Sequence, residues 1–168
     1  MLIVFSGLPG TGKTTIARLV ARGCGATYLR IDAIEQALRS ADVLVGDVGP
    51  AGYIVAYALS EANLKLGQSV VADCVNPLAV TRAAWRSVAS STSSPIVEIE
   101  IICSDPAEHR RRVEGRTIDI PGLNPLGWAS VLAHDYEPWS EPRMIIDTAA
   151  VSAADAVSKI LAAIDERR

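Results

Sequence analysis

Disulfides, structural zinc and long nucleic acids are all poorly provided for in this sequence. Its 168 residues include three cysteines, Cys24, Cys74 and Cys103. They are odd in number, scattered and without a CxxC pair, which argues against a disulfide framework or a zinc cluster and suits reduced thiols in a cytoplasmic protein. The two histidines, His109 and His134, have no partner at metal or triad spacing. Positive charge is not in excess. Lys and Arg number 16 against 19 Asp and Glu, a formal net charge of -3, and the pI is about 5.4. The basic stripe of a nucleic-acid groove is therefore not expected. No apolar run reaches the roughly 18 residues that suggest a membrane span. The apolar start MLIVF runs straight into a glycine loop with no basic n-region or cleavage site, so it reads as a strand and not as a signal peptide.

What is present suits one compact domain. The composition is 49% hydrophobic and 21% charged, with a mean hydropathy of +0.25. Strand-like and helix-like stretches alternate, which predicts a parallel α/β sheet. Strands are expected over Leu2–Ser6, Thr27–Ile31, Ser69–Asp73, Ile96–Cys103 and Arg143–Asp147. The first is continuously apolar, as in a strand covered on both faces. A helix is expected from Lys13, closed by Gly23 and Gly25. Another is expected over Pro50–Leu66, where Ala51, Ile54, Val55, Ala58, Leu59, Ala62 and Leu66 form an apolar face and Tyr53 and Tyr57 fall opposite. Asn76 and Pro77 look like an N-cap and first-turn pair. Asp105 to Glu108 open a helix as a capping box, and Ser152 begins the last one. Arg116 to Asn124, rich in Gly and Pro, reads as a mobile loop.

Residues 7 to 15 read GLPGTGKTT. The first eight fit G-x-x-x-x-G-K-[ST], set between an expected strand and an expected helix. The glycines let the backbone bend so that N–H groups point inward at phosphate oxygens, and the following helix adds its positive end. The candidate phosphate-binding residues are thus Gly7, Leu8, Pro9, Gly10, Thr11, Gly12, Lys13, Thr14 and Thr15. Lys13 reaches the β and γ phosphates, and the Thr14 hydroxyl is placed to ligate magnesium. The marks of switches and motors are missing. There is no N-K-x-D, the one D-x-x-G (Asp119–Gly122) lies in a loop, and Asp73 ends VVAD without a following glutamate. These absences favour transfer to a bound acceptor over transfer to water.

With GLPGTGKTT, YLRIDAIEQALR, VVADCVNP, RRVEGR and IIDT in this order, the sequence resembles the small P-loop kinases related to nucleoside monophosphate kinases. It is most similar to the zeta-toxin and polynucleotide-kinase-like branch. The resemblance spans nearly the whole chain and implies a single P-loop kinase domain. That domain would have a five-stranded parallel sheet flanked by helices, a short lid near residues 116–135, ATP and Mg2+ as cofactors, and a small hydroxylated acceptor.

The resemblance also implies roles for individual residues. Arg112 and Arg116 are four apart, which on a helix puts both on one face. In similar kinases the first stacks on adenine and the second contacts the transferring phosphates, tasks suited to a planar cation. The competing role is a solvated basic helix end. Asp32 follows the second strand, where open α/β sheets bind ligands. It is a candidate to orient the acceptor hydroxyl and take its proton; its competing role is an N-cap, with Glu35 at N3. Asp73 is a candidate for magnesium, through water, or for the acceptor, against a turn residue. Arg82 and Arg86 share a helix face, and Arg82 is a candidate substrate contact. Thr148, after Asp147, lies near where related kinases bind adenine, with backbone contacts expected there. Trp128, Tyr136 and Trp139 suit core packing or the lid.

The chain departs from its relatives at Glu35. Polynucleotide-kinase-like members carry arginine at this position of D-x-x-R, to hold an acceptor phosphate, and an acid repels one. The glycine run that shikimate kinases carry after the third strand is replaced by ADCVNP. A neutral or cationic small alcohol is the expected acceptor. The alternatives are a nucleoside or 5′-hydroxyl polynucleotide kinase, a toxin-like kinase of nucleotide sugars, and a non-catalytic ATP-binding sensor.

Overall fold

The structure, a computed structural model, describes residues 1–41 and 46–167. Five strands form one all-parallel sheet in the order β2-β3-β1-β4-β5. They are β1 (Leu2–Ser6), β2 (Thr27–Arg30), β3 (Val70–Asp73), β4 (Ile96–Ile102) and β5 (Met144–Asp147). Seven helices are described: α1 (Lys13–Cys24), α2 (Ile31–Ser40), α3 (Ala51–Lys65), α4 (Ala79–Ser91), α5 (Pro106–Glu114), α6 (Trp128–Leu132) and α7 (Ala153–Asp165).

The alternation of side chains along β1 divides the core in two. Ile3 and Phe5 face a layer with Ile16 and Val20 of α1 and Ile160 and Ile164 of α7. Leu2 and Val4 face Ile31, Ala56, Leu64 and Trp85, from α2, α3 and α4. Both faces of β1 are covered, as its unbroken apolar run requires. Arg30 pairs with Asp73, and Asp73 with Phe5, so the carboxyl ends of three adjacent strands lie level. This edge carries the site.

Several local expectations are met by visible chemistry. Asp105 caps α5, accepting from the Ala107 and Glu108 N–H groups at 2.9 and 3.2 Å. Ser152 caps α7, and Gly25, at φ 65°, closes α1. Others need correction. β2 ends one residue early, and Ile31 already opens α2. Asn76 is no cap: it is fully buried at φ 50°, its Nδ2 donates to the Ser6 Oγ, and α4 begins only at Ala79. Helix α5 ends at Glu114, so Arg116 lies beyond it and does not share its face with Arg112.

The largest difference concerns α3. Its buried row is Gly52, Ala56, Ser60 and Leu64. Tyr53 and Tyr57 pack on the same core layer, whereas Ile54 and Leu59 are 59% and 43% exposed. The small residues bring the backbone close to its neighbours, and a Cβ at Gly52 would fall onto the Glu35 side chain. Close approach and aromatic packing decide the inward face, over aliphatic content.

Candidate active site

The phosphate loop is held through its carbonyls, once from within and twice from outside. The Thr11 hydroxyl donates to the Leu8 oxygen at 2.9 Å. The His109 Nε2 meets the Pro9 oxygen at 2.8 Å, and the Thr148 hydroxyl meets the Thr11 oxygen at 2.8 Å. Gly7 is at φ 132°, and a Cβ there would strike the Ile101 carbonyl. With these carbonyls engaged, the N–H groups from Gly10 to Thr14 have no acceptor among the described residues. That is a ready-made anion cradle. Lys13 is only 7% exposed, and among the described residues it makes no ion pair. A buried, unpaired ammonium asks for an anion.

One cleft of about 1080 Å³ runs from this loop to the ends of β2 and β3. Its wall includes Gly10, Gly12, Lys13, Thr14 and Thr15 of the loop, together with Asp32, Arg112 and Arg116. The structure therefore brings together residues that lie up to about 100 positions apart in the chain. Asp32 is the second residue of α2, and no side-chain cap bond forms at that helix start. The rival role as N-cap is thus absent. Its carboxylate is 38% exposed and 3.6 Å from the Arg30 Nη2. Arg112 is fixed rather than loose: Glu108 takes its Nε at 2.7 Å, and the Thr148 hydroxyl and carbonyl take the other two nitrogens at 2.8 and 3.1 Å. Thr148 supports both the loop and Arg112 with its side chain, so its contribution extends beyond the backbone.

Two expected substrate contacts are not found. Arg82 is fully buried. Its guanidinium donates to the carbonyls of Asn76, Pro77, Glu137 and Pro138 and lies 4.2 Å from the Trp139 ring centre. It ties the segment before β5 to the start of α4. Asp73 is 3% exposed, does not line the cleft, and accepts the Tyr28 hydroxyl at 2.7 Å. Burial and this carboxylate push the Tyr28 hydroxyl pKa up. Tyr136 and Trp139 pack with Arg82 and Glu100, and Trp128 packs edge-on to His109.

Three further cleft residues were not singled out by sequence. Arg30 ends β2 and is buried, and Arg18 projects from α1. Both bind Asp119, which lies on the segment between α5 and α6. Hydrogen bonds from Arg30, and then Arg18, hold the Asp119 carboxyl at about 2 against the opposing effect of burial. The visible signal was a charge inside the otherwise apolar run YLRI. Glu35 also lines the cleft. Its carboxyl is raised chiefly by burial, with Arg39 at 3.4 Å opposing.

Among the described residues no cluster of three acidic, histidine or cysteine side chains could hold a resident metal. Magnesium borne on a nucleotide needs only one or two protein oxygens, and Thr14 supplies a hydroxyl at the cleft wall. The site fits such a nucleotide-borne ion.

The loop, its helix and the parallel sheet define a P-loop domain. Residues 2–119 match the family model described as AAA domain, and the chain belongs to that AAA domain family. An uncharacterized protein of Mycobacterium tuberculosis is 37% identical over 109 residues, 58% of this chain. The chain spans 22% of the length of that relative. Among solved structures, a sugar kinase from Janibacter sp. superposes with a TM-score of 0.71 at 18% identity, covering 98% of this chain and 94% of that one. The Mycobacterium tuberculosis APS kinase CysC, in complex with AMPPNP and APS, gives 0.69 at 20%, covering 98% and 96%. A gluconokinase from Sinorhizobium meliloti gives 0.65 at 21%, covering 98% and 91%. These likenesses establish a kinase-like P-loop fold. No helix among the described residues is long and apolar enough to cross a membrane.

Proposed function

We propose that the protein is an ATP-dependent phosphotransferase that moves the γ-phosphoryl group to a hydroxyl of a small acceptor. The observation that carries this reading is one cleft holding both an unpaired buried Lys13 in a phosphate cradle and a half-exposed carboxylate, Asp32, with no capping duty. The kinase names of the structural neighbours support it.

In this reading the N–H groups of Gly10 to Thr14 and the Lys13 ammonium hold the phosphate chain. Magnesium, when bound with the nucleotide, neutralises phosphate charge, and Thr14 is its protein ligand. Asp73 would reach the ion only through water. Arg112 is preset by Glu108 and Thr148 to lie against the base, and Arg116 faces the charge that builds on the γ-oxygens. Asp32 orients the acceptor hydroxyl. The acceptor oxygen bonds to the γ-phosphorus as the bond to the bridging oxygen breaks, ADP departs, and the hydroxyl proton passes to Asp32. Arg116, Ile118 and Asp119 line the cleft from the segment between α5 and α6, and that segment serves as the lid that keeps water out.

The test is ADP release with ATP and magnesium against pooled sugars, sugar acids, amino alcohols, nucleosides and 5′-hydroxyl oligonucleotides. Acceptor-dependent release that falls by about 100-fold in Asp32→Asn, with nucleotide binding unchanged, is the expected result. Tight ATP binding with no release in any pool would count against transfer.

A further inference from the structure

Arg30 has no part in the transfer just described, yet it stands beside its centre. It is 5% exposed and lines the cleft. Its Nη1 donates to both Asp119 oxygens, at 2.9 and 3.0 Å. Its Nη2 is 3.6 Å from an Asp32 oxygen, beyond hydrogen-bond reach, and neither Nε nor Nη2 has a hydrogen-bond partner. A guanidinium carries five N–H groups in one plane and keeps its charge when buried. Leaving two of its nitrogens unserved inside a protein is costly. Such a residue is built for an occupant with more acceptor oxygens than Asp119 provides.

Asp119 is also a poor permanent partner. Its side chain is 40% exposed, and it is shared with Arg18 at 2.5 Å. It comes from the segment between α5 and α6, which has neither strand nor helix structure to hold it. A carboxylate seated between two arginines marks the chemistry of the seat.

We propose that Arg30, with Arg18 beside it, receives an anionic group of the acceptor, a carboxylate or a phosphate. Asp119 fills the seat until the acceptor displaces it. This rests on the phosphotransferase reading above and narrows its substrate class. Because Arg30 adjoins Asp32, the acceptor's anion lies only a few bonds from the hydroxyl that is phosphorylated. The class is small hydroxy acids, sugar acids and sugar phosphates. Glu35, which argued for a neutral or cationic acceptor, has its own cation in Arg39, so its charge does not exclude an anion at Arg30.

The test uses the whole chain with its loop filled by AMPPNP and magnesium. Inorganic phosphate, D-gluconate, glucose 6-phosphate and neutral D-glucitol are titrated in. Binding is followed by calorimetry and by the NMR signal of the Arg30 Nε–H. At least one anion is expected to bind and shift that signal while glucitol does not, and the preference between gluconate and glucose 6-phosphate separates carboxylate from phosphate. Arg30→Gln is expected to weaken the anion about 30-fold, roughly the worth of one charge-assisted hydrogen-bond set. Asp119→Asn is expected to tighten it by about 10-fold, since a competitor is removed. A merely structural clasp would give no gain on losing Asp119. The proposal is overturned if no anion binds more tightly than glucitol, or if Asp119→Asn leaves affinity unchanged or weaker. ADP release with the same compounds separates the two readings. Anion binding at Arg30 without any transfer would sink the phosphotransferase and keep the seat. Equal transfer to glucitol would do the reverse.

Discussion

Lys13 and Arg82 are both buried cations, and their surroundings assign them opposite work. Lys13 has no ion pair among the described residues and sits among N–H groups without acceptors, so its partner must come from outside. Arg82 is saturated by four carbonyls and a Trp139 face. Arg82→Met is therefore expected to lower stability by about 3 kcal/mol or more, because it strands buried acceptors. Denaturant unfolding measures this, and KM for the acceptor in the folded fraction is expected to stay unchanged. A raised KM with full stability would restore Arg82 to the substrate. Asp119 gives a pH signature. Its carboxyl is held at about 2 when folded, below the ordinary value of about 3.9. Its contribution is thus complete above the ordinary value and lost as pH falls through about 2. Asp119→Asn is expected to flatten the acid limb of a stability-against-pH curve between about pH 4 and pH 2. An unchanged limb would mean that the pairs with Arg30 and Arg18 do not persist in solution.

At the scale of elements, the strands and the phosphate loop were legible because each carries a one-dimensional signal. β1 is apolar from Leu2 to Phe5, and the loop's glycines have fixed spacing. Helix α3 was legible in its span but not in its inward face, because it is apolar or small nearly all round and no stripe stands out. Its direction is set by the row Gly52, Ala56 and Ser60, a packing relation with α2 and β3 that periodicity cannot reveal. Ala56→Leu is accordingly expected to cost about 1–3 kcal/mol through overpacking. Leu59→Gln, on the outer face, should change stability by no more than about 0.5 kcal/mol. Thermal unfolding of the two variants decides the orientation, and the reverse ranking would return the aliphatic face to the core. The site was half legible for a related reason. Lys13, Asp32, Arg112 and Arg116, singled out by motif and by likeness to known kinases, line one cleft, although Arg116 lies beyond the helix whose face it was expected to share with Arg112. The Arg30–Asp119 pair joins positions 89 apart, and only the folded chain brings it together.

Across the whole molecule, charge is separated. The formal net charge is -3, yet the cleft wall carries six Lys and Arg side chains against three carboxylates. An acidic protein has thus gathered basic groups in one place, as the binding of polyanionic nucleotides demands. The level carboxyl ends of β1, β2 and β3 set the Lys13 loop, Arg30 and Asp32 around a single space. The central claim is that this space passes a phosphoryl group from ATP to an organic hydroxyl and not to water. Its most direct test is to incubate the protein with γ-labelled ATP, magnesium and the acceptor pools, and to follow the label by mass spectrometry. The account predicts label in a product equal to acceptor plus one phosphoryl group, with that product lost in Asp32→Asn. Label found only in inorganic phosphate, or left on tightly bound ATP, would contradict it.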